Sequence, residues 1–179
     1  MSAISIDYYK TSMGELVLGS FDNQLCICDW RYRKMRSEID FRITTGLSAT
    51  STYAETPVIA MAKEQIEQYL NGHREQFDVP LLMVGTSFQK EVWNALLQIP
   101  YGKTESYLGL SNRLNNPKAI RAVASANGAN ALAIFVPCHR IIGSNGDLVG
   151  YAGGLDIKRK LLALESKSTN CQLDLFGSI

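Results

Sequence analysis

Cys138 and His139 are adjacent in the segment VPCHRII, residues 136–142, within a stretch that is otherwise mostly apolar. A thiolate is a strong nucleophile, and an imidazole is a common base for removing a thiol proton. Neighbouring side chains on an extended segment point to opposite faces, so coupling between these two requires a bend or a bridging water. A buried cysteine is also often an inert small hydrophobic residue. The pair alone therefore leaves nucleophilic chemistry and simple packing both open.

A glycine-rich loop and a helix follow in GYAGGLDIKRKLLALE, residues 150–165. The glycines allow the backbone to approach a ligand closely, and Tyr151 offers a hydroxyl donor. We expect the helix to begin at about Asp156, with Glu165 at the border of its core face near the C-terminal end. The helix dipole disfavours a carboxylate there, so Glu165 is expected to have a partner. The basic run at 158–160 is interpreted as solvated, with phosphate contact as the alternative.

Two short helices across a compact turn precede the cysteine, at residues 106–114 and 117–127. This helix-turn-helix pattern binds DNA in some proteins and is ordinary packing in others. The second helix is rich in small residues, which leaves Arg121 as its one long side chain. Such a face either enters a narrow DNA groove, with the arginine inserted into the base stack, or packs against another helix. The positions that could face the core are Ile120, Val123 and Ala124.

The remaining pattern predicts a β-meander and further helices. Apolar residues alternate through the first thirty positions, with turns at Met13-Gly14 and Asp22-Asn23, as in antiparallel strands. Thr56-Pro57 and Asn71-Gly72 bound a helix. The Ser/Thr-rich residues 41–54 predict a surface loop, and residues 131–138 predict a buried strand. Another helix is expected from a capping box at Thr86 and Gln89, with Phe88, Val92, Ala95 and Ile99 on its apolar stripe.

Composition limits the class of protein. With 179 residues, 46% of them hydrophobic and 20% charged, the chain is typical of globular proteins. Residues 1–80 hold eight basic and eleven acidic residues and residues 81–179 hold ten and six, so a polyanion would bind the second half, unless these charges are only solvated surface. The absence of a long apolar run or signal pattern predicts a cytoplasmic protein without membrane contact. Cys and His are too few for disulfides or zinc, so no metal or cofactor is expected.

The motifs PCHR, SYLGLSNRLNNPKAIRAVASANGAN and GYAGGLDIKRKLLALE together closely resemble the O6-alkylguanine-DNA alkyltransferases, or methylated-DNA–protein-cysteine methyltransferases. The resemblance runs without a gap through residues 86–165 and is weaker before them. It implies an α+β chain with a ribonuclease-H-like domain of β-meander plus helix at 1–82, a winged-helix-like helix-turn-helix alkyltransferase domain at 83–166 and a tail at 167–179. The implied activity is direct DNA repair, in which the alkyl group of O6-alkylguanine, or of O4-alkylthymine, moves irreversibly to Cys138 in one turnover.

The resemblance also implies roles for individual residues. Cys138 is the implied nucleophile, His139 takes its proton through a water, and Glu165 orients the imidazole. Asn130 is implied to brace the turn around the reactive segment. A neutral leaving base lowers the barrier to transfer.

The lesion base has its own set of implied contacts. Tyr107 is implied to bind the purine and crowd its phosphate, and Tyr151 to donate to the departing oxygen. Ala152 and Ala133 stand where some members have serine and proline, which predicts a pocket that tolerates larger alkyl groups. The other implied substrate contacts are Val136, Ile141 and Gly153.

Double-stranded DNA is the implied partner, bound through its minor groove with the lesion base flipped out of the stack. Arg121 is implied to fill the vacated position, and the protein is expected to act as a monomer. The small residues implied to approach the groove are Ala119, Ala122, Ser125 and Ala126. Two alternatives stay open: a lesion sensor of the same fold without transfer, and a cysteine hydrolase with a Cys-His-Glu triad.

The C-terminal tail carries a separate motif. Its sequence QLDLF is similar to the short peptide by which bacterial replication and repair proteins dock on the sliding clamp. The implied clamp contacts are Gln172, Leu173, Leu175 and Phe176. An apolar tail that folds back on its own domain is the alternative.

Overall fold

The computed structural model describes residues 3–174, with side chains as far as Ser166. The α+β class is confirmed, since a mixed sheet is combined with helices. The strands are β1 (Ala3–Thr11), β2 (Gly14–Phe21), β3 (Gln24–Trp30), β4 (Thr50–Tyr53), β5 (Glu105–Ser106) and β6 (Ile141–Ile142). The α-helices are α1 (Arg36–Leu47), α2 (Pro57–Leu70), α3 (Ser87–Leu97), α4 (Tyr107–Arg113), α5 (Ile120–Gly128) and α6 (Leu155–Asp174), with 3₁₀ turns at Pro117–Ala119 and Cys138–Arg140.

The predicted β-meander is confirmed. β1, β2 and β3 pair in antiparallel order, and β4 adds to β1 in parallel, so the sheet order is β3-β2-β1-β4. Asp22 and Asn23 both have positive φ, at 48° and 57°, as the tight turn between β2 and β3 requires. The turn chemistry visible in the sequence therefore fixes the pairing of β2 and β3 next to the turn, and the register shifts at Gly19 and Ser20.

Residues 41–54 were predicted to be a loop, and this prediction is wrong. They contain most of α1 and all of β4. Ile39 and Ile43, one helical turn apart, are buried against the second face of the sheet, so packing overrides the weak helix propensity of the Ser/Thr-rich segment. The sheet is consequently covered on both faces, and β2 and β3 are buried almost throughout instead of alternating.

The predicted helix starts are confirmed. The Thr56 hydroxyl accepts a hydrogen bond from the Ile59 N–H at the start of α2, and Thr86 forms the predicted capping box with Gln89 at the start of α3. The apolar stripe predicted for α3 does face the core: Val92 and Ile99 are buried, and the half-buried Phe88 and Ala95 pack against the same cluster. The residues of α3 that are buried are Val92, Trp93 and Leu96.

The helix-turn-helix consists of α4, the 3₁₀ turn at Pro117–Ala119 and α5. The core face of α5 differs from the predicted one. Val123 is buried as expected, whereas Ile120 is exposed. Ala126 and Asn127 are buried in its place, because Trp93 of α3 packs beneath α5 and donates its indole N–H to the Ala126 carbonyl at 2.9 Å.

The apolar segment at residues 131–138 was predicted to be a strand, which is also wrong. It forms a tight turn in which Ile134 has φ 74° and the Val136 N–H bonds the Leu132 carbonyl at 2.8 Å. The turn lies against β3: the Cys28 N–H donates to the Ala131 carbonyl at 2.8 Å, and the Ala133 N–H donates to the Cys28 carbonyl at 2.6 Å. One hydrophobic cluster joins β2, β3 and α2 to α3, α5 and this turn. The domain boundary near residue 82 stays a prediction.

None of the helices in the described part of the chain has the length and apolar character needed to cross a membrane.

Candidate active site

Cys138 is held by the turn that precedes it. Pro137 has φ −79° and ψ 61°, the geometry of an inverse γ-turn, and the Cys138 N–H bonds the Val136 carbonyl at 2.8 Å. The Asn130 amide braces the same turn, since its Nδ2 donates to the Val136 carbonyl and its Oδ1 accepts from the Leu132 N–H, both at 2.9 Å. These contacts agree with the bracing role that the resemblance implies for Asn130.

Cys138 is only 4% exposed. The charged groups that act on its thiol are Asp29, Lys158 and Arg33. Burial raises the pKa of the Cys138 thiol, and the neighbouring Asn130 side chain acts in the opposite direction. The thiol is therefore protonated at neutral pH, and a nucleophilic thiolate needs a base that accepts its proton. The other described cysteines, Cys26 and Cys28, are also free and buried.

His139 and Glu165 form a buried pair. The His139 Nε2 lies 2.8 Å from the Glu165 Oε1, and both side chains are inaccessible to solvent. Burial lowers the pKa of His139, although Glu165 opposes this shift. A neutral imidazole that donates from Nε2 to the carboxylate has its lone pair on Nδ1. That Nδ1 atom is buried and makes no hydrogen bond within the described residues.

Glu165 accepts hydrogen bonds from more groups than the sequence indicated. Tyr69 donates its hydroxyl to Oε1 at 2.7 Å, the Gly102 N–H donates to Oε2 at 3.1 Å, and Arg140 donates from Nε and Nη2. Burial alone would raise the pKa of Glu165, but the hydrogen bonds from His139 and Arg140, together with the charge of Arg140, outweigh it and lower the pKa to about 2. Glu165 is thus a buried, fully ionised carboxylate, in the middle of α6 rather than near its end.

A cavity of about 590 Å³ opens at Cys138. The predicted site residues on its wall are Tyr107, Cys138, Tyr151, Ala152 and Gly153, and the wall also includes Ala124, Asn127 and residues 32–35. Three other predicted substrate contacts, Val136, Ile141 and Ala133, are buried and do not line this described cavity. The cavity wall therefore does not support the prediction that Ala133 lets the pocket accept larger alkyl groups.

Lys158 corrects the interpretation of the basic run. Its side chain is fully buried, and its Nζ donates to the carbonyls of Ile141, Val149 and Gly150 at 2.5, 2.6 and 3.1 Å. Arg159 and Lys160 are exposed as expected. Lys158 thereby connects the segment after Cys138 to the start of the glycine loop, a role that its position in a run of three charges did not indicate.

The residues predicted to contact DNA differ in their exposure to solvent. Arg121, Ala122 and Ser125 are exposed on α5, and Ala119 is half-buried in the turn before it. Ala126 is only 3% exposed, so its side chain packs inside the protein and the prediction that it faces the groove is wrong. The sliding-clamp residues Gln172, Leu173, Leu175 and Phe176 lie outside the described side chains. Among the described residues no cluster of three or more His, Cys, Asp or Glu could hold a metal ion.

The N-terminal half supplies site residues that sequence reasoning missed. Trp30 donates its indole N–H to the Tyr151 hydroxyl at 3.1 Å. Arg33 donates to the carbonyls of Gly128 and Asn130 at 2.6 and 3.0 Å. No local pattern marks these two residues, because their partners lie about a hundred positions along the chain.

The chain is similar to known proteins in both sequence and fold. Residues 87–167 match the family model described as 6-O-methylguanine DNA methyltransferase, DNA binding domain. The constitutive methylated-DNA–protein-cysteine methyltransferase of Bacillus subtilis is 40% identical over 164 residues, which cover 89% of this chain and 96% of that protein. The Mycobacterium tuberculosis O6-methylguanine methyltransferase matches with a TM-score of 0.80, 36% identity and coverage of 97% of this chain and 99% of that one. The Mycobacterium tuberculosis OGT in complex with DNA matches with a TM-score of 0.77, 36% identity and coverage of 93% and 94%.

Proposed function

The chain belongs to the methylated-DNA–protein-cysteine methyltransferase family, and on this premise we propose that it repairs alkylated DNA by transferring the alkyl group of O6-alkylguanine to Cys138. The observation that carries the proposal is the position of Cys138 at the cavity wall, directly before His139 in the chain, whose ring is paired with Glu165. A thiol in an apolar setting, next to a neutral imidazole whose second nitrogen is held by a carboxylate, has the arrangement of a nucleophile with its base.

The transfer step balances as a single displacement. His139 takes the Cys138 proton at Nδ1, through a water, because Nε2 is already engaged by Glu165. The sulfur then attacks the alkyl carbon, and the S–C bond forms as the C–O6 bond breaks. The departing guanine takes a proton from Tyr151, and the His139 imidazolium, whose ring lies 6.4 Å from the Tyr151 ring, returns the thiol proton to Tyr151 through water. The imidazolium that forms is stabilised by the ionised Glu165, and Tyr151 donates to the departing base. The product is a thioether, so each molecule acts once.

The DNA enters from the helix-turn-helix side. We assign Arg121 to the gap left by the flipped base, and the small exposed face of Ala122 and Ser125 to the minor groove. Burying a flipped base costs a few kcal/mol, less when alkylation has weakened its pair. The protein is proposed to act on O4-alkylthymine as well, as a monomer in the cytoplasm. Clamp binding by the tail also stays a proposal, and a tail peptide titrated against the clamp tests it.

Intact-mass and peptide-mass measurements after mixing the protein with duplex containing O6-methylguanine test the activity. We expect one methyl group on Cys138, none on the buried control cysteines Cys26 and Cys28, and none in Cys138→Ser. A lesion sensor would bind the duplex without gaining mass. A cysteine hydrolase would turn over a substrate repeatedly and remain unmodified. Either result would contradict the proposal.

A further inference from the structure

Trp30, the last residue of β3, contacts the Tyr151 ring and hydroxyl. The indole N–H donates to the Tyr151 hydroxyl at 3.1 Å, and the two rings meet edge to face with centroids 6.4 Å apart. Trp30 is 3% exposed, so water does not compete for this bond. A residue of the N-terminal sheet therefore determines the surroundings of a tyrosine on the wall of the reactive cavity.

The direction of the hydrogen bond determines what the tyrosine can do. An indole N–H is a donor only, so the phenolic oxygen is the acceptor and its own proton must point elsewhere. A phenol that accepts one hydrogen bond becomes a better donor in the next, because the two bonds polarise each other. The Tyr151 proton is thus left free for a group inside the cavity.

The backbone around the indole is fitted to this contact. A Cβ built on Gly153 would lie 2.6 Å from the Trp30 Nε1, closer than real side chains approach. Gly153 therefore lacks a side chain for a reason that its place in the loop did not reveal: the indole occupies the space.

We propose that Trp30 is a positioning residue for alkyl transfer, whose indole N–H holds the Tyr151 hydroxyl with its proton directed into the cavity toward the departing base. The inference rests on the proposed function. The electrostatics are consistent with it: burial raises the pKa of Tyr151 well above its usual value, and the Trp30 hydrogen bond acts against that rise. A tyrosine kept more acidic than its burial dictates is a better donor to a leaving group.

The test is a double-mutant cycle on the rate of methyl transfer at saturating lesion duplex. Trp30→Phe keeps the aromatic body and removes the donor, and we expect transfer to slow by about three- to tenfold, the effect of one net hydrogen bond. Duplex affinity should not change, since Trp30 is buried. In the Tyr151→Phe background, Trp30→Phe should have no further effect on the rate, because the hydroxyl on which it acts is gone.

Trp93→Phe is the matched control. It removes the chain's other indole donor, which bonds the Ala126 carbonyl at 2.9 Å, and its effect on the rate should multiply with that of Tyr151→Phe. The proposal is overturned if Trp30→Phe transfers at the parent rate, or if its effect also multiplies with that of Tyr151→Phe. Failure of the parent protein to gain a methyl group would instead remove the proposed function itself.

A spectroscopic measurement keeps the proposal testable should Trp30→Phe fail to fold. The chain has two tryptophans, so its ¹H–¹⁵N spectrum has two indole signals, and Trp93→Phe assigns them. Tyr151→Phe should shift the Trp30 indole signal and leave that of Trp93 in place. An unmoved Trp30 signal means that the hydrogen bond does not exist in solution, and the inference fails.

Discussion

Arg33→Ala should destabilise the protein by about 2–4 kcal/mol, far more than an ordinary surface arginine. The Arg33 side chain is 7% exposed and pairs with the fully buried Asp29 at 2.8 Å. It also donates to the carbonyls of Gly128 and Asn130, each a hydrogen bond from a charged group worth about 1.5–3 kcal/mol. Asp29 keeps Arg36 as a partner at 3.0 Å, so the loss should stay below the sum of these contacts.

Urea unfolding followed by tryptophan fluorescence measures the effect, because both indoles are buried. Arg31→Ala is the control: Arg31 lies two residues away, is 37% exposed and pairs with Glu15 at 2.9 Å. An exposed pair of this kind contributes about 0–1 kcal/mol. The reasoning is refuted if the two variants lose the same free energy of unfolding, since Arg33 would then not join the N-terminal sheet to the end of α5.

Three further predictions concern other parts of the structure. The pKa of Glu165 is lowered to about 2 from 4.5, so the unfolded chain binds more protons than the folded chain between these two pH values. Glu165 should therefore contribute about 3 kcal/mol to the free energy of unfolding above pH 4.5, and this contribution is lost as the pH falls toward 2. The difference in urea midpoint between the parent and Glu165→Gln should therefore be smaller at pH 3.5 than at pH 7. A difference that is the same at both pH values contradicts this. Lys158→Met leaves three carbonyls without their donor and should speed hydrogen exchange around residues 149–151, whereas Lys160→Met should not. Thr86→Ala removes the capping box of α3 and should cost about 1 kcal/mol without slowing methyl transfer.

Local chemistry was predictable where it acts within a few residues. The turn at Asp22-Asn23, the Thr56 cap and the Thr86 capping box all depend on side chains that satisfy their own neighbouring backbone, and all three are present. The meander followed from alternation of apolar residues. The motif residues Cys138, Tyr107 and Tyr151 do meet at one cavity.

Features that depend on distant partners were not predictable. α1 forms because Ile39 and Ile43 fill the uncovered face of the sheet, a surface that does not exist until the strands pair. The 131–138 segment has the composition of a strand, but its hydrogen bonds go to Cys28 and to its own turn. Lys158 has the appearance of a solvated residue in the sequence, and only the fold brings three carbonyls to its Nζ.

The two hydrogen bonds between Cys28 and the turn at Ala131 and Ala133 have a consequence for solubility. β3 is an edge strand of the sheet, and an uncovered edge offers unpaired backbone groups to any other chain. The reactive turn shields this edge together with the segment at Pro80 and Leu82, which bonds Leu25. The opposite edge, β4, is short, polar and exposed. Any event that displaces the turn therefore also exposes the edge of β3 to pairing with other chains. The tendency to aggregate should rise as the reactive geometry is lost.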